Sequence, residues 1–364
     1  MATLDQPITR QEPRLTEKIR TDGSPRTAPP VDSREELSKD TLLEMYRTML
    51  RSRKLDERAW VLHRQGKIAF HISGMGHEAL QVGAAFALER GKDYVAPYYR
   101  DLPLMLALGY TPREFALGLF GKQGDPSSGA RQMPSHWGLR RANVLSTSSP
   151  VATQIPHAAG VGLGIKLSGK DEVVLTCIGE GATSQGEWYE ALNWAAVHKL
   201  PVICLVQNNI YAISVPMDKQ MAVANVADRG AAFGMPGVVV DGNDVLAVYR
   251  VMKEAIALAR SGGGPTLVEA KTYRPVPHSS DDDDRSYRSR EEVEDWKKRD
   301  PLLRFRTYLE KENLITQQRI DEMEEQIRAE VEDAVKFAQE APYPEPHEAL
   351  RPVYAEQVSG GSDA

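Results

Sequence analysis

A chain of 364 residues with 41% hydrophobic and 26% charged content can bury a full core, as one large or two small domains. Its net charge of −6 comes from interspersed residues of both signs, which excludes a basic footprint for nucleic acid or an anionic membrane. No apolar run approaches the roughly 20 residues of a membrane-spanning helix. Cys177 and Cys204 fall in two β-rich runs, where buried, reduced thiols are expected, and a cytoplasmic location fits that usage.

Residues 1–35 are rich in Pro, Thr, Ser and Arg but also carry Asp5, Glu12, Glu17, Asp22 and Asp32. Transit peptides are poor in acid and no apolar signal core is present, so a disordered arm is expected. From Ser38, apolar residues recur at helical spacing (Leu42, Tyr46, Met49, Leu55, Ala59, Leu62) and stop at Gly66, which predicts a long docking helix. GMGHEALQVGAAFALERG predicts a second helix and YVAPYYRD a short extended segment. A third helix follows Thr111, its cap, with Pro112 in the first turn. Residues 121–150 read as loop. The helix after them presents Ala158, Gly160, Gly162 and Gly164, a small-residue surface suited either to tight packing in the core or to a subunit interface.

The run EVVLTCIGEG ends at Gly181, a helical stretch follows, and PVICLVQNN ends at Asn209, which together make one β-α-β unit. The alternation continues with a helix near Val223 to Ala232, the strand GVVVDG, a helix from Asn243 to Ser261 and the strand PTLVEAKTY. These repeats argue for an α/β fold, a parallel sheet flanked by helices on both faces, in a single domain over residues 36–340. RPVPHSSDDDDRSYRSR is too polar for a core and long enough for a mobile, functional loop. Ile320, Met323, Ile327, Val331 and Val335 then form a helical stripe, a docking face for the core or for a partner. The tail, residues 341–364, is expected to be extended.

In an open parallel sheet the carboxyl ends of adjacent strands face one crevice, so Glu180 and Asn209 converge on one ligand. A carboxylate with a neutral amide oxygen suits magnesium, which prefers hard oxygen donors and shares its shell with substrate phosphates. Gly179 and Gly181 let backbone approach a diphosphate, and the following helix offers its amino end to anionic oxygens.

GEG followed after 26 residues by NN resembles the thiamin-diphosphate fingerprint. YRD, RQMPSHWG, SSPVATQIP, NNIYAIS, VDGNDV and HSSDDDDRSYRS extend the likeness over residues 38–355. Together they resemble the alpha subunit of the decarboxylating component of 2-oxo acid dehydrogenase complexes, with RQMPSH, SSPVATQIP and HSSDDD similar to the branched-chain type.

The resemblance implies magnesium held by the Glu180 carboxylate, the Asn209 side chain and the Tyr211 carbonyl. It places Tyr99 and Arg100 on the diphosphate, Ser149 and Val151 beside the cofactor, and Gly179, Gly181, Ala182 and Gln207 around it. Ser148, Pro150, Thr153 and Gln154 match a site for a monovalent cation, potassium. His278 is implied in proton transfer or in orienting substrate, because imidazole changes charge near neutral pH; His136 is a second candidate. His71, His77 and His157 read as structural, while Phe70 and Tyr99 could line an acyl pocket. Ser279 and Ser289 match positions that some relatives phosphorylate, and a phosphate on Ser279 would stand against His278.

The implied reaction is decarboxylation of a branched-chain 2-oxo acid such as 3-methyl-2-oxobutanoate, with reductive acylation of a lipoyl group on a separate acyltransferase. The chain lacks a second β-α series for the other half of such a site, so the activating glutamate is expected from a beta subunit in an α2β2 assembly. Glu78 superficially mimics that glutamate but reads as a helix-start acid.

Three positions depart from the pattern. Glu180 replaces the usual Asp and keeps the carboxylate. Gln207 stands where relatives often carry Arg, which removes a positive charge near the diphosphate. Ile210 stands where relatives often have Gly, and a β-branched residue predicts an ordinary extended or helical backbone there.

Three rival readings compete with this one. A pyruvate or acetoin version of the enzyme differs only in an acyl pocket built partly by the partner. A dinucleotide-binding dehydrogenase using GEGATSQG puts Ser184 where the fingerprint needs its third glycine. A silent scaffold would not need Glu180, Asn209, Tyr211 and His278 together.

Overall fold

The computed structural model describes residues 37–350; the expected amino-terminal arm and residues 351–364 of the tail lie outside the described residues. The first helix, α1 (Lys39–Arg64), begins at Ser38, whose hydroxyl caps the Thr41 N–H, and buries Met45, Met49, Leu55, Ala59 and Leu62. α2 (Glu78–Ala87) opens on a buried Glu78 paired with Arg53, in accord with its reading as a helix-start acid. β1 (Tyr94–Ala96) leads to α3 (Leu102–Ala107), an apolar turn and a half for which the sequence predicts no element. α4 (Pro112–Phe120) shows a reciprocal capping box between Thr111 and Glu114 and stops at Gly121 in the left-handed region.

After the loop come α5 (Gln154–Leu167), β2 (Val174–Gly179), α6 (Gly186–Val197) and β3 (Val202–Asn208). A two-residue hairpin, β4 (Tyr211–Ala212) with β5 (Val215–Pro216), precedes β6 (Gly237–Asp241), α7 (Val245–Arg260) and β7 (Thr266–Lys271). The expected helix near 223–232 is a 3-10 helix, Val226–Phe233. The chain then forms α8 (Arg290–Lys297), α9 (Pro301–Lys311) and α10 (Gln317–Glu340). Among the described residues no helix is long and apolar enough to cross a membrane.

β1, β2, β3, β7 and β6, in that spatial order, form one wholly parallel sheet. Successive strand residues face opposite sides, and the buried residues obey that period. Val174, Ile178, Val202, Cys204 and Val206 pack with α5 and α6 on one face. Leu175, Cys177, Ile203, Leu205 and Val268 pack with α1, α2 and α7 on the other. Both cysteines are buried and free.

The small-residue helix divides its roles. Ala158 and Gly162 face the sheet, and a Cβ on Gly162 would lie 3.0 Å from Val202. Gly160 and Gly164 have nothing within 4 Å of such a Cβ and look outward. The apolar stripe of α10 is buried inside the chain against α1 and α4, with Arg47 and Arg51 on Glu330 and Arg113 on Asp333 at its rim. The start of the tail is not extended throughout. Lys122 donates to the Ala341 carbonyl, its ammonium lies over the Tyr343 ring, and a 3-10 turn forms at Pro346–Leu350.

Candidate active site

The carboxyl ends of the central strands gather four segments around a cavity of about 250 Å³. From the end of β1 come Tyr98, Tyr99 and Arg100; from β2, Gly179, Glu180, Gly181 and Ala182. From β3 and the hairpin come Asn209, Tyr211 and Ile213, and from beyond β7, Arg274 and His278, with Val151 at the rim. The close approach depends on Gly181, where a Cβ would stand 2.3 Å from that of Ala212.

Glu180 is buried at the head of this cavity. Its Oε2 accepts from the Asn209 N–H at 3.3 Å, while its Oε1 is buried without a partner, and burial pushes the carboxyl pKa up. Asn209 Oδ1 has only a long bond from the Tyr211 N–H, at 3.3 Å. An orphaned carboxylate oxygen beside a weakly engaged amide oxygen and a turn carbonyl is a donor set that fits a hard divalent cation. The residues present therefore fit magnesium.

Opposite stand two buried guanidiniums. Arg100 donates to the Ser73 carbonyl at 2.6 Å and Arg274 to the Ile213 carbonyl at 2.8 Å; among the described residues neither pairs with a carboxylate. Burial and then the charge of Arg100 pull the Arg274 pKa down. Two buried positive groups pressed together and paired only with neutral acceptors make an anion site of the kind a diphosphate would neutralise.

His278 Nδ1 lies 3.4 Å from Arg100 Nη2 and 3.3 Å from Arg274 Nη1 and accepts from both. Burial first, then these two charges, lower its pKa to about 3. The expectation that it changes charge near neutral pH is therefore corrected for the cofactor-free chain: the ring is neutral, with its proton on Nε2. Its loop is also less free than expected. Arg288 donates across the loop's base to the Arg274 and Val276 carbonyls, and Asp282 accepts from both the His278 N–H and the Tyr287 hydroxyl. Ser280 N–H donates to the His71 carbonyl at 2.9 Å, and the His71 ring rests on Asp56. Ser279 is buried within the loop and Ser289 caps α8.

Other expected site residues stand elsewhere. Gln207 shares the side of β3 that carries Ile203 and Leu205, so it turns away from the cavity. It is fully buried between Gln81, at 2.8 Å, and Asp101, at 2.5 Å. The missing charge of an Arg there would thus arise behind the cavity wall. Ser149 is exposed outside the lining and donates to His136 Nε2 at 2.5 Å, while His136 Nδ1 faces the Met133 carbonyl at 3.0 Å. Of the two residues considered for an acyl pocket, Tyr99 lines the cavity and Phe70 does not. Ser148 donates to the Pro150 carbonyl at 3.2 Å, and Gln154 is engaged with the Cys177 carbonyl at 2.7 Å; Thr153 precedes α5 without capping it.

The expectation for Ile210 is overturned: its φ is +65°. Asn208 Oδ1 takes its N–H at 3.0 Å and its carbonyl takes the Met217 N–H at 3.0 Å, so hydrogen bonds on both sides hold a conformation that β-branching opposes. Ile213, at φ +57°, carries the same strain in the cavity lining, and Ala152, next to the lining Val151, is also left-handed, at φ +76°.

Two site residues escaped the sequence reading. Arg274 follows the last strand's carboxyl end, a position that should have drawn attention once a parallel sheet was expected. His77, read as structural, is fully buried and touches Asn209, its Nε2 3.1 Å from the amide Nδ2. Burial and then Arg100 push its pKa well down, so it too is neutral.

Residues 46–347 match the model of the dehydrogenase E1 component family. The chain is 52% identical over 319 residues to the 2-oxoisovalerate dehydrogenase subunit alpha of Bacillus subtilis, covering 88% of this chain and 97% of that one. It is 40% identical over 330 residues to the 3-methyl-2-oxobutanoate dehydrogenase subunit alpha of Mycobacterium tuberculosis, covering 89% and 86%. It is also 39% identical over 307 residues to a pyruvate dehydrogenase E1 component subunit alpha of Staphylococcus aureus, covering 83% and 79%. With a family match across most of its length and relatives this similar over most of their chains, the protein belongs to the dehydrogenase E1 component family.

Proposed function

We propose that this chain is the alpha subunit of a thiamin-diphosphate-dependent enzyme that oxidatively decarboxylates branched-chain 2-oxo acids, 3-methyl-2-oxobutanoate among them, and passes the acyl group to a lipoyl group of an acyltransferase. The observation that carries the reading is the cavity at the sheet's carboxyl edge, where, among the described residues, Arg100 and Arg274 lack carboxylate partners and Glu180 Oε1 lacks any partner. When bound, thiamin diphosphate supplies the electron sink that lets the carboxylate leave the 2-oxo acid as carbon dioxide. Glu180, Asn209 and the Tyr211 carbonyl would hold magnesium, with Arg100, Arg274 and Tyr99 toward the diphosphate. Ser148, Pro150, Thr153 and Gln154 would hold potassium and brace the segment bearing Val151. His278, neutral with a proton on Nε2, is built to donate a hydrogen bond to substrate or acceptor. Two arginines on its other nitrogen keep that orientation fixed.

The partner implied is a beta subunit carrying the activating glutamate. In support, α6 leaves Tyr189, Trp194 and Val197 exposed and α5 leaves Leu167 exposed, an apolar surface beside the open Gly160 and Gly164. Co-expression with a beta subunit, then decarboxylation of 3-methyl-2-oxobutanoate and of pyruvate with thiamin diphosphate, magnesium and an artificial electron acceptor, tests the reading. Preference for the branched acid is expected. Preference for pyruvate would move the substrate assignment to the sister activity, and no activity on either acid would overturn the proposed function.

A further inference from the structure

We infer that His77 is a positioning residue that fixes which end of the Asn209 side-chain amide faces the metal. The inference rests on the cofactor reading above and concerns how this chain prepares one ligand.

A chain of hydrogen bonds leads from the Met75 carbonyl through His77 to the Asn209 amide. His77 Nδ1 is 3.1 Å from the Met75 carbonyl, which can only accept, so Nδ1 carries the ring proton. Nε2 is then a bare acceptor. It lies 3.1 Å from Asn209 Nδ2, which can only donate, so the amide nitrogen is held toward His77. Oδ1 is thereby left on the side of the Tyr211 N–H, at 3.3 Å, in a residue whose own backbone N–H meets Glu180 Oε2. A flipped amide would set Oδ1 against the Nε2 lone pair in a fully buried place, with no proton between two acceptors. It would also turn an N–H toward the cation. The Tyr211 N–H favours the same orientation through one long bond of 3.3 Å; the buried lone pair of His77 Nε2 makes the choice decisive.

His77 is itself held firmly. Its N–H donates to the Gly74 carbonyl at 2.9 Å, and Thr272 Oγ1 donates to the Gly76 carbonyl at 2.6 Å. Gly76, at φ +86°, lies so close to β7's exit that a Cβ would stand 2.0 Å from the Tyr273 carbonyl. A residue in the loop before α2 is thus fastened to the ends of β3 and β7, where a metal ligand must be aimed. Partners of this kind change metal affinity about 10- to 100-fold when removed.

The test uses the assembled enzyme with its beta subunit, stripped of cofactor, at saturating thiamin diphosphate. Mn2+ is the probe, and the free ion is counted by electron paramagnetic resonance, so the readout does not depend on activity. His77→Leu, which removes the acceptor, is expected to weaken Mn2+ binding at least tenfold. His77→Gln, whose side-chain oxygen can still accept from Asn209, is expected to stay within threefold of the parent. Unchanged Mn2+ affinity in His77→Leu would overturn the inference, as would equal losses in the Leu and Gln variants, which is what a packing role predicts. Should His77→Leu fail to assemble, His77→Met takes its place with the same expectation. If the parent assembly itself binds no Mn2+ with thiamin diphosphate present, the cofactor reading fails first, and this inference with it.

Discussion

At Ile210 the backbone holds a β-branched residue at φ +65°, between an Asn208 side chain that accepts from its N–H and a Met217 N–H that donates to its carbonyl. A left-handed conformation costs such a residue roughly 1–2 kcal/mol. Glycine removes that cost but adds roughly 0.5–1 kcal/mol of unfolded-state entropy. Ile210→Gly is therefore expected to stabilise the assembly by up to about 1 kcal/mol, read from denaturant midpoints; a loss of about 2 kcal/mol or more would mean that the side chain packs rather than strains. Sequence could not foresee this, because the turn is imposed by partners from outside the dipeptide. His278 carries a second consequence at this scale. Its pKa is about 3 when folded and about 6.5 in an unfolded chain, so between those values the unfolded state binds a proton that the native state refuses. The stability associated with the neutral ring is complete above about pH 6.5 and is lost as pH falls toward 3. Acidifying the cofactor-free assembly from pH 7 to pH 5 should lower its urea midpoint more than that of His278→Asn, and equal slopes in the two proteins would refute the assignment.

α8 shows how an element outside the sheet reaches the site. Ser289 accepts from the Glu292 N–H and caps this helix, while the Glu292 carboxylate accepts from the hydroxyls of Tyr211 and Tyr273, each at 3.0 Å. The cap of one short helix is thus tied to the residue whose carbonyl would face the metal. Ser289→Ala should cost about 1 kcal/mol, the usual value of an N-cap. It should also speed tryptic cleavage at Arg285 and Arg290, in the loop end and first turn that the cap holds; cleavage at the parent's rate would show that Arg288 alone secures the segment. Elements on this scale were largely legible in the sequence. The long α1, the capping box of α4 and the β2-α6-β3 unit each carry their own local signals, as period, cap and glycine. α3 escaped because six apolar residues without a cap fit helix, strand or buried loop equally. Gln207 was expected around the cofactor because relatives often carry Arg there, but the strand's period of two puts it on the face of Ile203 and Leu205, against Gln81 and Asp101.

For the whole molecule, the outward face of α5 and α6 sets the question of assembly. Among the described residues Gly160 and Gly164 have no neighbour that a side chain would strike, whereas Gly162, two residues from each, is pressed against Val202 and Leu200. Sequence showed the glycines but not which of them turn inward, since that depends on the angle at which the helix lies on the sheet. This division makes a discriminating pair of substitutions. Gly160→Leu adds apolar bulk where nothing among the described residues opposes it, and it exchanges glycine for a good helix former, worth roughly 0.5–1 kcal/mol in favour of the helix. Any harm it does must therefore come from a second chain laid against that face. Gly162→Leu forces a branched side chain into a core already in contact and should destabilise the subunit itself by roughly 1–3 kcal/mol. Sedimentation velocity after co-expression with the beta subunit should show Gly160→Leu folded, with an unchanged circular dichroism spectrum, yet shifted to smaller species, while Gly162→Leu should lose soluble protein before assembly is at issue. A Gly160→Leu protein that assembles as the parent does would free this face from the subunit interface and leave the exposed Trp194 and Val197 without the partner proposed to cover them.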